Sequence, residues 1–156
     1  MSELTVYWLL FMVLAFTTMF IIMPREKILE LLTVGFWMGL VQAVVLLWLG
    51  QVYLQVFRLS GDPTAFGIPM IASFSWLPAV VLFAYYFIQT SSAVKRIGLV
   101  LLFAAGSVVV QYILQRAGLW ENLNWNLYYT FMLTLAAHTL ISGFIVLTRK
   151  QPDTRH

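Results

Sequence analysis

Five long apolar runs, separated by short polar stretches, constrain this chain more than any other feature of its sequence. The first is Leu4 to Met23 and the second about Ile28 to Phe57. The third is about Pro69 to Ile88, the fourth about Ile97 to Leu119 and the fifth about Leu127 to Thr148. Wound as a helix, about 20 mostly apolar residues match the thickness of the hydrocarbon core of a bilayer. Composition closes off the soluble alternative. Of the 156 residues, 62% are hydrophobic and 10% charged, against roughly 45–50% apolar and 25% charged in soluble domains. The expected fold is therefore all-α: one integral membrane domain over residues 1–156, a bundle of five transmembrane helices. The first run is expected to be permanent rather than a removable signal. Its flank "MSELT" lacks the basic residues of a signal peptide, and the run exceeds the length of a signal's apolar region.

The connections are legible too. "PREK" turns the chain after the first span, with Pro24 ending one helix or opening the next. The second span, roughly 30 residues or roughly 45 Å, is expected to tilt or to project beyond the membrane. "RLSGDPTAFGIP" is a loop with Gly-Asp-Pro as its turn signal. Pro78 inside the third span predicts a kink. "QTSSAVKR" is the next loop, and "RKQPDTRH" is a polar tail. There is no internal repeat and no soluble domain.

Five spans put the two ends of the chain on opposite sides of a membrane. Arg25, Lys27, Lys95, Arg96, Arg149, Lys150 and Arg155 fall on one side, and Arg58 and Arg116 on the other. The positive-inside rule then predicts an outer N-terminus and a cytoplasmic C-terminus, in the cytoplasmic (inner) membrane. The net charge of +3 is spread over these flanks and forms no patch for nucleic acid.

That orientation gathers polar residues at the outer face. "QYILQRAGLWENLNWN" (Gln111 to Asn126) runs from an apolar helix into charge, amides and tryptophan. Gln111 and Gln115 share one side of their helix. Gln51, Gln55 and Arg58 approach the same level from the second span, Ser73 and Ser75 from the third, and Tyr128 and Tyr129 from the fifth. Polar side chains avoid hydrocarbon at a cost of several kcal/mol, so an outward-facing polar pocket is expected. Its candidate ligand-binding residues are Gln51, Gln55, Arg58, Gln111, Gln115, Arg116, Trp120, Asn124, Trp125 and Tyr128, with Asp62 and Glu121 as partners for the two arginines. A plainer account also fits: Trp120, Trp125, Tyr128 and Tyr129 as an interfacial aromatic belt, an Asn-capped fifth helix, and glutamines that join helices.

His138 falls about eleven residues into the fifth span, roughly 16 Å deep. An ionisable residue at that depth marks a functional hypothesis. The alternative is packing, with the ring bonded to a helix carbonyl or to Gln42. No catalytic motif is present. The chemical candidates are Glu121 as a general acid, with aromatic faces to stabilise a cation, and His138. No cofactor and no metal are expected. The chain has no Cys, and its only other His is His156. Gly35 and Gly39 form a small-xxx-small pair suited to a homo-oligomer, a partner protein or close packing within one bundle.

"VKRIGLVLLFAAGSVVVQYILQRAGLWENLNWNLYYTFMLTLAAH", with "SWLP" at Ser75 to Pro78 before it, resembles a family of small multi-pass membrane proteins of spore-forming Firmicutes. The resemblance covers roughly half of the chain. It implies a compact helical bundle in the cytoplasmic membrane and brings no activity with it. The translocator-protein family agrees in size and span number, but its tryptophan-proline signature after the first helix is replaced here by "PREKILELLTVGFW". The leading functional expectation is a binding, sensing or accessory membrane protein that associates with lipids. The alternatives are a membrane-embedded enzyme acting on a lipid or isoprenoid, and a small transporter subunit with His138 and Gln42 on its path.

Overall fold

A computed structural model describes residues 3–61 and 64–149; of Arg149 it describes the backbone only. Five helical rods are long and apolar enough to cross a membrane. They are α1 (Glu3–Ile22), a rod over Arg25–Tyr53, α4 (Met70–Gln89), α5 (Ala93–Arg116) and α6 (Leu127–Arg149). The second rod comprises α2 (Arg25–Val34), a π-helical stretch Gly35–Val41, α3 (Gln42–Trp48) and a second π-helical stretch Leu49–Tyr53. Four short strands occupy the connections: β1 (Phe57–Leu59), β2 (Thr64–Ala65), β3 (Ile68–Pro69) and β4 (Trp120–Asn122).

Chain geometry explains most of the boundaries. Pro24 stands just before α2 in extended conformation, and its carbonyl accepts from Lys27 and Ile28 N–H at 3.0 and 3.1 Å. Proline suits this position because it has no N–H to satisfy. α5 ends in a Schellman turn. Gly118 adopts φ +73°, its N–H bonds Gln115 O, and Leu119 N–H bonds Leu114 O. Glycine carries the left-handed residue without a Cβ penalty, and buried Leu119 and Leu114 supply the apolar contact of that motif. The fourth span accordingly stops at Arg116, short of Leu119. It also starts earlier than expected, at Ala93, with Ser92 just ahead of it.

The second rod is corrected at its far end. It stops at Tyr53 rather than Phe57. Gln55 turns into the left-handed region with φ +52°, and Val56 N–H bonds back to Gly50 O at 2.9 Å. Phe57 then leaves the rod to pair with β4, in the antiparallel register Phe57↔Asn122, Arg58↔Glu121, Leu59↔Trp120. α4 continues through Pro78, which is buried.

α4 is the central helix: half of its span is buried, against a sixth to a third in the other rods. Gly35 and Gly39 face it. A Cβ on Gly35 would lie 2.4 Å from Val81, and one on Gly39 would lie 2.9 Å from the Cα of Leu77. The small-xxx-small pair therefore serves packing inside the bundle, where the bare backbone admits α4. Two apolar cores result. One joins Met19, Met23, Ile28 and Leu31 to Val80, Val81, Phe83, Ala84 and Phe87. The other, at the strand-bearing end, joins Trp8, Leu47, Phe57, Leu59, Ile68, Leu114 and Leu119. The N-terminal part of α1 is tied to that second end, because the indole N–H of Trp8 donates to Ser60 O at 2.7 Å.

Candidate functional site

The strand-bearing end is closed by a directional chain of hydrogen bonds. The indole N–H of Trp125 donates to the Thr130 hydroxyl at 2.6 Å, and that hydroxyl donates to the amide oxygen of Gln111. Gln111 Nε2 donates to Asn122 Oδ1 at 3.2 Å, and the same oxygen accepts from the indole of Trp120 at 2.8 Å. An indole N–H can only donate, so Asn122 turns its oxygen to Trp120 and Gln111 its nitrogen to that oxygen, which fixes the orientation of both amides. Gln111 is 2% exposed, so its two bonds satisfy an amide that would otherwise be costly to bury. The rings of Trp120 and Trp125 close on Phe57, with centroids 4.4 and 5.7 Å away. Phe57 in turn rests on Gly50, where a Cβ would fall 2.3 Å from its ring.

Beneath this cap lies a cavity of about 110 Å³, open on one side. The second rod forms one wall (Met38, Gln42, Leu46), and α5 and α6 form the other (Phe103, Val110, Ala137). α4 contributes Trp76 and Ala79. Among the described residues no Lys, Arg, Asp or Glu lines it. Most of its polar groups are engaged at home: Ser107 Oγ donates to Phe103 O at 3.0 Å and Thr134 Oγ1 to Thr130 O at 2.8 Å. His138 reaches it from α6, 6% exposed. Its Nδ1 lies 2.7 Å from Thr134 O, and its ring meets Phe83 edge-on at 4.9 Å and Phe103 at 5.7 Å. The carbonyl partner foreseen for His138 is thus Thr134 O, while Gln42 looks into the same cavity with no hydrogen bond among the described residues.

Of the residues singled out from the sequence, Gln111, Trp120 and Trp125 come together in the cap. The others go elsewhere. Gln51 shapes a loop, accepting from Leu59 N–H and donating to Gly67 O, both at 2.7 Å. Gln55 and Asn124 are exposed; Asn124 is held by its own N–H on Val56 O at 2.9 Å. Arg58 meets Glu121 across the β1–β4 ribbon at 3.4 Å, both side chains more than half exposed. Asp62, the other acid considered for the arginines, lies outside the described residues. Arg116 stays on its own helix, bonding the Tyr112 hydroxyl at 3.0 and 3.1 Å. Gln115 has a buried Nε2 without a partner among the described residues, as does the hydroxyl of Ser73. Tyr128 is exposed against Tyr129. These polar residues thus split into a cap, a loop brace and a surface ion pair, and line no single polar chamber. Glu121 in particular does not touch the cavity.

Thr130 and Asn122 were missed from sequence. Thr130 carries a local signal: it follows Asn126 by four residues, and Asn126 caps α6 by accepting Tyr129 N–H at 3.0 Å. Asn122 carries none, since its role depends on strand pairing. Among the described residues no group of three His, Cys, Asp or Glu could hold a metal ion.

The protein is thus a helical bundle of five rods able to cross a membrane, with a charge-free cavity under a hydrogen-bonded cap. No family model, curated protein or solved structure matches the chain.

Proposed function

We propose that the chain is a multi-pass protein of the cytoplasmic membrane, N-terminus outside, that holds a small lipid-soluble molecule between its second rod and the α5–α6 pair. The observation that carries this reading is the cavity of about 110 Å³ with no charged lining residue among the described residues. Protein interiors are normally packed as tightly as organic crystals, and a void deprives its walls of contacts. An enclosed apolar cavity of roughly 150 Å³ takes up a molecule the size of benzene, so this one suits a small apolar body. The distribution of Lys and Arg supports the orientation, with the cap toward the outside. A binding role is favoured over lipid chemistry at Glu121, whose carboxylate is exposed, paired with Arg58 and away from the cavity.

The test is purification from native membranes followed by mass spectrometry of the extracted small molecules. Ala137 lines the cavity, and Ala137→Phe fills part of it. The wild type is expected to carry a lipid-soluble compound that Ala137→Phe loses while remaining folded. Equal amounts on both proteins would refute the reading. Orientation is checked in this cysteine-free chain with Ser60→Cys and Ser91→Cys. A membrane-impermeant maleimide should label the first in intact cells and the second only after permeabilisation; the reverse order would overturn it.

A further inference from the structure

We infer that the molecule held in the cavity is a neutral lipid-soluble alcohol or phenol, whose hydroxyl donates to Nε2 of His138. This rests on the proposed binding role and specifies its ligand. The starting point is the tautomer of His138. A backbone carbonyl can only accept, so the 2.7 Å contact with Thr134 O places the ring proton on Nδ1. No acid among the described residues lines the cavity to pair with a charged ring. Nε2 is then a bare lone pair in a residue only 6% exposed, and no described group donates to it. Such a group is costly to leave unmatched in apolar surroundings.

The opposite wall completes the pattern. The amide of Gln42 offers a donor and an acceptor, and Trp76 an indole N–H; neither has a hydrogen bond among the described residues. A hydroxyl suits this lining, giving its proton to His138 and keeping an oxygen lone pair for a donor such as Gln42 or Trp76. A ketone, ester or ether oxygen would turn a lone pair toward the lone pair of Nε2. A phospholipid headgroup would bring charge to walls that hold no counter-charge. The polar points are also deep. His138 follows Thr130 by eight residues on α6, about 12 Å along the helix, so the hydroxyl sits well below the cap and the hydrocarbon body fills the space between.

The experiment uses the full chain in phosphatidylcholine nanodiscs and two matched pairs sized to the cavity, cyclohexanol with its methyl ether and 1-hexanol with its methyl ether. Binding is read from the tryptophan emission, since Trp76, Trp120 and Trp125 line the cavity. At least one alcohol is expected to bind about tenfold more tightly than its ether, the effect of one hydrogen bond between well-placed partners. His138→Phe, which keeps a ring against Phe83, is expected to abolish that preference while leaving the ether's affinity in place. Because both proteins sit in identical nanodiscs, differences in membrane partition cancel. Gln42→Leu provides a second variant should His138→Phe fail to fold, and it should reduce the preference at least threefold. Equal affinity for alcohol and ether in the wild type would overturn the hydroxyl assignment and leave the binding role standing. A preference that survives in both variants would overturn it as well. Binding of none of the four probes would overturn this inference together with the binding role.

Discussion

Gln111 and Thr130 hold the cap together through one shared hydrogen bond, and its worth can be isolated. Gln111→Leu removes that bond and the one to Asn122. Thr130→Val removes the shared bond and the acceptor of the Trp125 indole. At roughly 0.5–1.5 kcal/mol net per bond, each single change should cost roughly 1–3 kcal/mol. The shared bond is lost in both, so the double variant should be less destabilised than the sum. The expected coupling is roughly 0.5–1.5 kcal/mol, toward the lower part of that range because bonds between helices in membranes average about 0.6. Equilibrium unfolding in mixed detergent micelles, followed by tryptophan emission, measures all four proteins. A coupling below about 0.3 kcal/mol, which distant independent sites would show, would refute the connected cap.

Three further outcomes are expected. Gly39→Ala should destabilise by about 1–3 kcal/mol because its methyl meets the α4 backbone at 2.9 Å, whereas Gly143→Ala, with nothing within 4 Å, should be neutral or stabilising; thermal unfolding in detergent distinguishes them, and equal effects would contradict the packing described. Gln55→Gly should raise stability by up to about 1 kcal/mol, since φ +52° suits glycine better; a loss in the same assay would count against that strain. Glu121→Gln should change stability by less than about 1 kcal/mol, as exposed ion pairs contribute little, and should leave ligand retention unchanged when the extracted small molecules are quantified.

The helices were legible because each apolar run carries its own evidence, residue by residue. Their ends were legible where the signal was read locally, as at Pro24 and Asn126, whereas the fourth run was carried past Gly118 to Leu119 although the glycine ends the helix within one turn. The second rod was overrun because Val56 and Phe57 continue its apolar run. What stops it is Phe57 pairing with Asn122, and sequence periodicity carries no information about a partner that far away. The same limit applies to the site. Gln111, Trp120 and Trp125 were recognisable as polar or amphipathic groups near one membrane face, but which of their neighbours they bond was not. Arg58 and Arg116 look equivalent in sequence; one crosses to Glu121 and the other folds back onto Tyr112 four residues earlier. His138 and Gln42 stood out by depth alone, and the shared cavity emerges only once α4 spaces their helices.

The β1–β4 ribbon also sets a timetable for synthesis. Arg58 emerges 63 residues before Glu121, an interval of roughly 3–12 seconds at about 5–20 residues per second. During that interval β1 has no partner, while the bonds of Gln51 to Leu59 and Gly67 need no residue made later than Gly67. The cap over the cavity can therefore close only late, after the fourth rod has been made.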